Sequence, residues 1–80
     1  MVEDFDLSAG ERIRQLRKDR GIPLVVLAKM SRVSIVTLSG LERWGVLPRR
    51  ASRLRIATAL GVTEDALFAQ EPGGAHEQPS

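Results

Sequence analysis

An all-α domain of five short helices is the fold that this 80-residue sequence predicts. Three observations predict it. Apolar residues recur at helical spacing, and no strand is needed to account for them. Ser8, Ser34 and Thr63 stand just before three of those apolar runs, where a hydroxyl can accept an amide that a helix start leaves unpaired. Gly21 and Gly61 stand where two of the runs end, and glycine takes the left-handed conformation that stops a helix. The chain is one domain at most, with a core small enough that dimerisation would help it.

Met1 to Leu7 reads as a flexible acidic N-terminus. Ser8-Ala9-Gly10-Glu11 has the spacing of a capping box, in which Ser8 takes a free amide and Glu11 reaches back. The first helix then runs to about Arg20, with Ile13, Leu16 and Arg17 on its inward face; Arg12, Arg14, Lys18 and Arg20 point elsewhere. The second helix spans about Pro23 to Met30, because proline suits a first turn, and no side chain caps it. Ser34 caps a third helix, Ile35 to about Arg43, and Val33 tucks under the turn before it. Trp44 to Pro48 is a loop that buries Val46 or Leu47. A fourth helix runs from about Arg49 or Arg50 to Leu60, with Leu54, Ile56, Ala57 and Leu60 as its apolar stripe. Val62 plugs the core, and Thr63 caps a fifth helix whose Glu64 and Asp65 suit the positive end of the dipole. Leu67 and Phe68 close the core. Residues 8–69 are thus the folded body, and residues 70–80 read as a disordered tail without apolar pattern.

The centre of the chain carries the functional signal. Leu24, Leu27 and Ala28 share one face of the second helix, and Leu38 and Leu41 share one face of the third. A tight polar break at Ser31-Arg32 separates the two. Helices that short cannot stand alone, so they lean on each other and on a third element. The small Ala28 lets them cross closely. That is the pattern of a helix-turn-helix, whose second helix is pushed outward to meet a partner.

Charge points to the class of partner. The formal net charge is only +2, yet all twelve Lys and Arg lie between Arg12 and Arg55. Only Asp19 and Glu42 oppose them there, so that stretch carries a formal +10, with acidic ends on either side. Such a body suits a polyanion; a solvated basic surface without a ligand is the bland alternative. Without cysteine there is neither a disulfide nor a thiolate metal site, and the lone His76 in the tail is read as a bystander. The sequence has no membrane-spanning apolar run and no signal-peptide pattern, so a cytoplasmic location is expected, with no membrane partner. It also has no phosphate loop, paired histidines or nucleophile–base spacing, so it is not read as an enzyme.

A family resemblance covers about Gly10 to Leu67 without a gap. Leu27-Ala28, Val33-Ser34, Thr37-Leu38-Ser39, Leu41-Glu42-Arg43, Pro48 and Ile56 to Thr63 are similar to the Cro and phage-repressor (lambda-repressor-like, XRE) type of helix-turn-helix regulator. Ile13 to Arg17, with Gly21, resembles the first helix of that family. The resemblance implies a compact five-helix bundle, no cofactor, no metal, and binding of double-stranded operator DNA as a homodimer. It also implies a structural ion pair between Arg17 and Glu42, for which a bidentate Arg–carboxylate geometry supplies the physical reason. Base contacts would come from Ile35, Val36, Ser39, Gly40 and Arg43, where Ile35 and Val36 can touch only thymine methyls and Arg43 reaches guanine or a phosphate. Phosphate contacts would come from Lys29, Arg32, Ser34, Arg49, Arg50 and Arg53. Thr37 either faces the core side or supports Ser34.

The chain departs from the family at three places. Leu24 stands where a phosphate-clamping glutamine is usual, and Arg32 and Trp44 stand where glycine is usual. Arg32 in a left-handed turn would cost roughly 1 kcal/mol while gaining a place near phosphates. Gly45 can take over the backbone role at Trp44. Trp44 itself can pack over the core edge, the commonest fate of a lone tryptophan, or stack on sugar-phosphate, or form part of a partner surface; the dimer interface is expected at Leu67 and Phe68, with Trp44 or Leu47 as the alternative.

These residues predict a sequence-specific transcriptional regulator, a repressor acting on a palindromic operator through the major groove. The alternative is a protein-interaction module, antitoxin- or adaptor-like, using an apolar patch of Leu24, Val25, Val26, Ile35 and Val36. Against both stands the plain reading that some of the five complete a small core.

Overall fold

The computed structural model describes residues 8–69, and five helices follow one another there: α1 (Ala9–Asp19), α2 (Leu24–Ser31), α3 (Ile35–Trp44), α4 (Arg50–Leu60) and α5 (Glu64–Phe68). The expectations for Met1 to Leu7, for residues 70–80 and for His76 lie outside the described residues. The fold is all-α, as its caps require. The Glu11 amide donates to Ser8 Oγ at 3.2 Å and the Ser8 amide donates to Glu11 Oε1 at 3.0 Å, which completes the capping box of α1. The Ala66 amide donates to Thr63 Oγ1 at 3.1 Å at the start of α5.

The closest packings close a ring: α1 lies on α3 and α5, α2 on α3 and α4, and α4 on α5. Every helix therefore turns one apolar stripe to the centre. Ile13, Leu27, Leu38, Leu41, Ile56, Leu60 and Leu67 are fully buried there, with Val33 and Phe68 closing the edges. Leu16, Ile22, Leu24, Ala28, Leu47 and Val62 pack around them, half-buried.

Several boundaries and facings differ from the sequence expectation. Pro23 flanks α2 rather than opening it: its carbonyl accepts the amides of Val26 and Leu27, each at 3.0 Å, while its own backbone stays extended. At the other end α2 takes in Ser31. α3 runs through Trp44 because Gly45, with φ of 72°, supplies the left-handed stop one residue later. Leu54 is 43% exposed, so the inward stripe of α4 is Ile56, Ala57 and Leu60 without it. Of the two loop candidates, Leu47 packs against the core and Val46 stays exposed.

Two arginines expected to point away are instead fasteners. Arg12 of α1 donates through Nε to the Leu67 carbonyl of α5 at 2.9 Å. Arg20, just beyond α1, donates to the Leu60 carbonyl at the end of α4. The last carbonyls of a helix lack intrahelical partners and carry partial negative charge, so a guanidinium from a neighbouring element satisfies both needs.

Candidate nucleic-acid interface

α3 owes its facing to Leu38 and Leu41, which are 0% and 1% exposed. At about 100° per residue, the stripe opposite them runs through Val36, Gly40 and Arg43, with Ser39 beside it and Ile35 at its flank. Val36 and Arg43 are exposed, Ile35 is exposed at its edge, and Ser39 and Gly40 are half-buried. The five residues expected to face a groove are thus on one side of one helix.

The turn that leads into α3 is built from three hydrogen bonds, and two more cap the helix. Ser31, the only buried polar residue among those described, donates to the Leu27 carbonyl at 2.8 Å and accepts the Val33 amide at 3.2 Å. Arg32 between them has φ of 61° and donates its amide to the Ala28 carbonyl at 2.9 Å. Ser34 Oγ accepts the Thr37 amide at 3.0 Å and donates to Thr37 Oγ1 at 3.0 Å, so Thr37 supports the cap. The sequence reading placed Ser31 at the break without its bonding role; a lone small polar residue there was the only trace of it.

Arg32 is the one non-glycine residue with positive φ among those described. Arg32→Gly is expected to raise stability, by up to about 1 kcal/mol, because glycine carries no steric penalty in that conformation. The same change removes a cation at the turn, so affinity for DNA falls. Urea unfolding and a binding titration on one preparation check both signs; lower stability would show that the strain is absent.

α3 is held from behind by an ion pair. Arg17 Nε and Nη2 donate to Glu42 Oε2 and Oε1, each at 2.8 Å, and Arg17 Nη1 donates to the Ile22 carbonyl at 2.9 Å. The side chains are 12% and 7% exposed. The hydrogen bond from Glu42 raises the Arg17 pKa above its usual value, against the opposing effect of burial. Neither side chain faces outward.

Arg14 and Lys18 of α1 and Arg55 of α4 are exposed, and the other nine cations divide into two sets. Arg12, Arg17 and Arg20 are fastened within the fold, and so is Arg53, which was expected to meet phosphate. Arg53 donates to Glu64 Oε2 and to the Pro48 carbonyl, each at 3.1 Å, and lies 5.8 Å from the centre of the Phe68 ring. Its side chain is 21% exposed, so it ties α4 to α5 and leaves the phosphate set. Lys29, Arg32, Arg43 and Arg49 are exposed, and their side chains have no partner among the described residues. Arg50 sits only 3.9 Å from Glu64 and keeps its side chain 74% exposed. Arg49 and Arg50 stand at the start of α4, which has neither a side-chain cap nor an acid in its first turn. Its amides and dipole there favour an anion.

Three further expectations are corrected. Leu67 and Phe68, 1% and 6% exposed, are spent on the core of the chain and leave almost no surface for the dimer contact expected of them. Trp44 is 77% exposed and does not pack over the core edge. Leu24 packs against the core and leaves the apolar patch, whereas Val25, Val26, Ile35 and Val36 remain exposed and outside the core.

No group of three His, Cys, Asp or Glu side chains converges among the described residues, and no histidine stands near Ser34 or Ser39 there. No helix among them is long and apolar enough to cross a membrane. The helix-turn-helix domain model matches residues 8–69, in keeping with the resemblance read from the sequence. No curated protein and no solved structure matches the chain.

Proposed function

The chain belongs to the helix-turn-helix domain family, and from that premise we propose that it is a sequence-specific transcriptional repressor. It binds a palindromic operator as a homodimer, with α3 in the major groove, and it is cytoplasmic and not an enzyme. The observation that carries this reading is the sorting of the cations. Four arginines are tied down by hydrogen bonds to the fold, while the side chains of Lys29, Arg32, Arg43 and Arg49, on the helix-turn-helix and at the start of α4, have no partner among the described residues, and Arg50 stays 74% exposed beside Glu64. Ile35, Val36, Ser39, Gly40 and Arg43 then meet the base edges, and Ser34 lies beside the phosphate contacts. The Ser34 proton is already given to Thr37, so Ser34 contributes chiefly by setting the angle of α3. With Leu67 and Phe68 buried and Leu47 half-buried against the core, the dimer contact falls to the exposed Trp44.

Selection of bound sequences from random duplex DNA tests the whole proposal. A palindrome with half-sites about 34 Å apart supports a two-fold dimer with both recognition helices on one face. A single asymmetric site removes the homodimer, and no enrichment removes sequence-specific binding.

Salt dependence tests the sorting. Arg49→Ala and Arg50→Ala are each expected to reduce the slope of log affinity against log salt by about 1. Arg53→Ala leaves that slope unchanged and instead costs about 1 to 3 kcal/mol of stability, the range for hydrogen bonds to charged groups. The reverse pattern would place Arg53 on the phosphates after all.

A protein-interaction module is the second reading, favoured by the exposure of Val25, Val26, Ile35 and Val36. A partner held by that patch binds with little dependence on salt, which separates it from DNA.

A further inference from the structure

Three residues on the outward stripe of α3 weaken the helix and do nothing for the fold. Val36 is 77% exposed, Ile35 is 43% exposed, and neither packs against the core. Both are β-branched, and such residues are poorer helix formers than the straight-chain polar residues that suit an exposed turn. Gly40 lies one turn beyond Val36, in mid-helix, where glycine is unfavourable. Nothing in the fold requires it: a Cβ there would meet no atom within 4 Å. All three choices serve something outside the protomer. Gly40 lets the helix backbone approach a surface closely. Ile35 and Val36 present stiff aliphatic side chains, which lose little freedom when they are covered.

A duplex offers such side chains one apolar group in its major groove, the C5-methyl of thymine. 5-Methylcytosine carries the same methyl on the same edge of the ring. Thymine and cytosine differ beside it, through the O4 acceptor of one and the N4 donor of the other. Valine and isoleucine have neither a donor nor an acceptor with which to tell these apart. The nearest outward side chain that can is Ser39, and Arg43 lies two turns, about 10 Å, from Val36 along the helix.

We infer that α3 reads the C5-methyl of a pyrimidine rather than the identity of the base, so that DNA methylated at cytosine C5 is a ligand of this site alongside thymine-containing DNA. The inference rests on α3 lying in the major groove, as proposed above. It adds a consequence: methylating a cytosine at the Val36 position raises affinity over the unmodified sequence by about fourfold per half-site.

The test uses the duplex recovered by selection and the full chain. Each pyrimidine of a half-site is made in turn as thymine, uracil, cytosine and 5-methylcytosine. At the position read by Val36, uracil for thymine weakens binding about fourfold per half-site, the scale of one buried methyl group. 5-Methylcytosine binds within about twofold of thymine, and cytosine about fourfold below 5-methylcytosine, on the same scale. Val36→Ala, at an exposed position, keeps the fold and the salt slope but loses most of both differences. Uracil binding as tightly as thymine at every position overturns the inference and leaves DNA binding standing. So does a 5-methylcytosine duplex no tighter than its cytosine form. A methyl effect undiminished when Val36 and Ile35 are both alanine also overturns it, because another group is then the reader. No enrichment in the selection overturns the DNA reading itself, and this inference with it.

Discussion

Gly10→Ala is expected to destabilise the protein by about 2 to 3 kcal/mol, the upper part of the overpacking range. At Gly10 the backbone of α1 lies close against that of α3. A Cβ built there meets the Leu41 carbonyl oxygen at 2.2 Å and the Glu42 Cα at 3.0 Å. Both are backbone atoms in the last turn of α3, so no side chain can turn aside, and α3 must move off α1. Helix propensity works in the opposite direction, since alanine gains about 1 kcal/mol over glycine in a helix interior and at most that in the first turn, where Gly10 stands. The sign of the measured change therefore decides which effect wins. Gly40→Ala is the matched control, because its Cβ meets nothing and only the propensity gain remains. One glycine-to-alanine change should lower the urea midpoint and the other raise it, with the unfolding slope unaltered. A domain of this size holds only about 3 to 5 kcal/mol in reserve, so Gly10→Ala leaves a sizeable fraction unfolded. A Gly10→Ala protein at least as stable as its parent would mean that the two helices are not so closely apposed.

Where the sequence could be read and where it could not follows from the range of each interaction. Ser8 with Glu11, Ser34 with Thr37, and Thr63 with Ala66 act within one turn, so spacing alone located three helix starts. The outward residues of α3 were legible because Leu38 and Leu41 fix its phase. Arg17 with Glu42 came from family resemblance; periodicity gave only the facing of Arg17. Contacts between distant segments left no local trace. Arg12 on the Leu67 carbonyl, Arg20 on the Leu60 carbonyl and Arg53 on Glu64 all look like surface charge in sequence, because a guanidinium on a long stem can be spent in either way. Gly10 looked like filler inside a capping box, since a close crossing depends on what lies opposite. Leu54 fits the helical period of α4, yet at that edge of the stripe no neighbour covers it. Leu67 and Phe68 were rightly apolar and buried, but burial within one protomer and burial between two look alike until the packing of α5 on α1 and α4 is known.

Glu42→Ala is expected to cost more than any other single side-chain loss considered, about 3 to 5 kcal/mol, as when one partner of a buried ion pair is removed. The reason is what remains. Arg17 is 12% exposed and would keep its charge, with only the Ile22 carbonyl left to receive it. The cost is chiefly that of an uncompensated guanidinium beneath α3, and it does not measure what the pair contributes. Removing both charges separates the two quantities. Arg17→Met combined with Glu42→Leu replaces the pair by apolar groups of similar volume, and such replacements are often close to neutral. Ile22 then loses a partner for its carbonyl, at about 1 kcal/mol. The double variant should therefore regain at least half of the stability lost by Glu42→Ala. It should still bind DNA less selectively, because the fork of two 2.8 Å bonds fixes the rotation of α3 about its axis and an apolar contact does not. A double variant as unstable as Glu42→Ala would show that the pair stabilises the fold outright. One that keeps full sequence selectivity would show that Leu38 and Leu41 alone aim the helix.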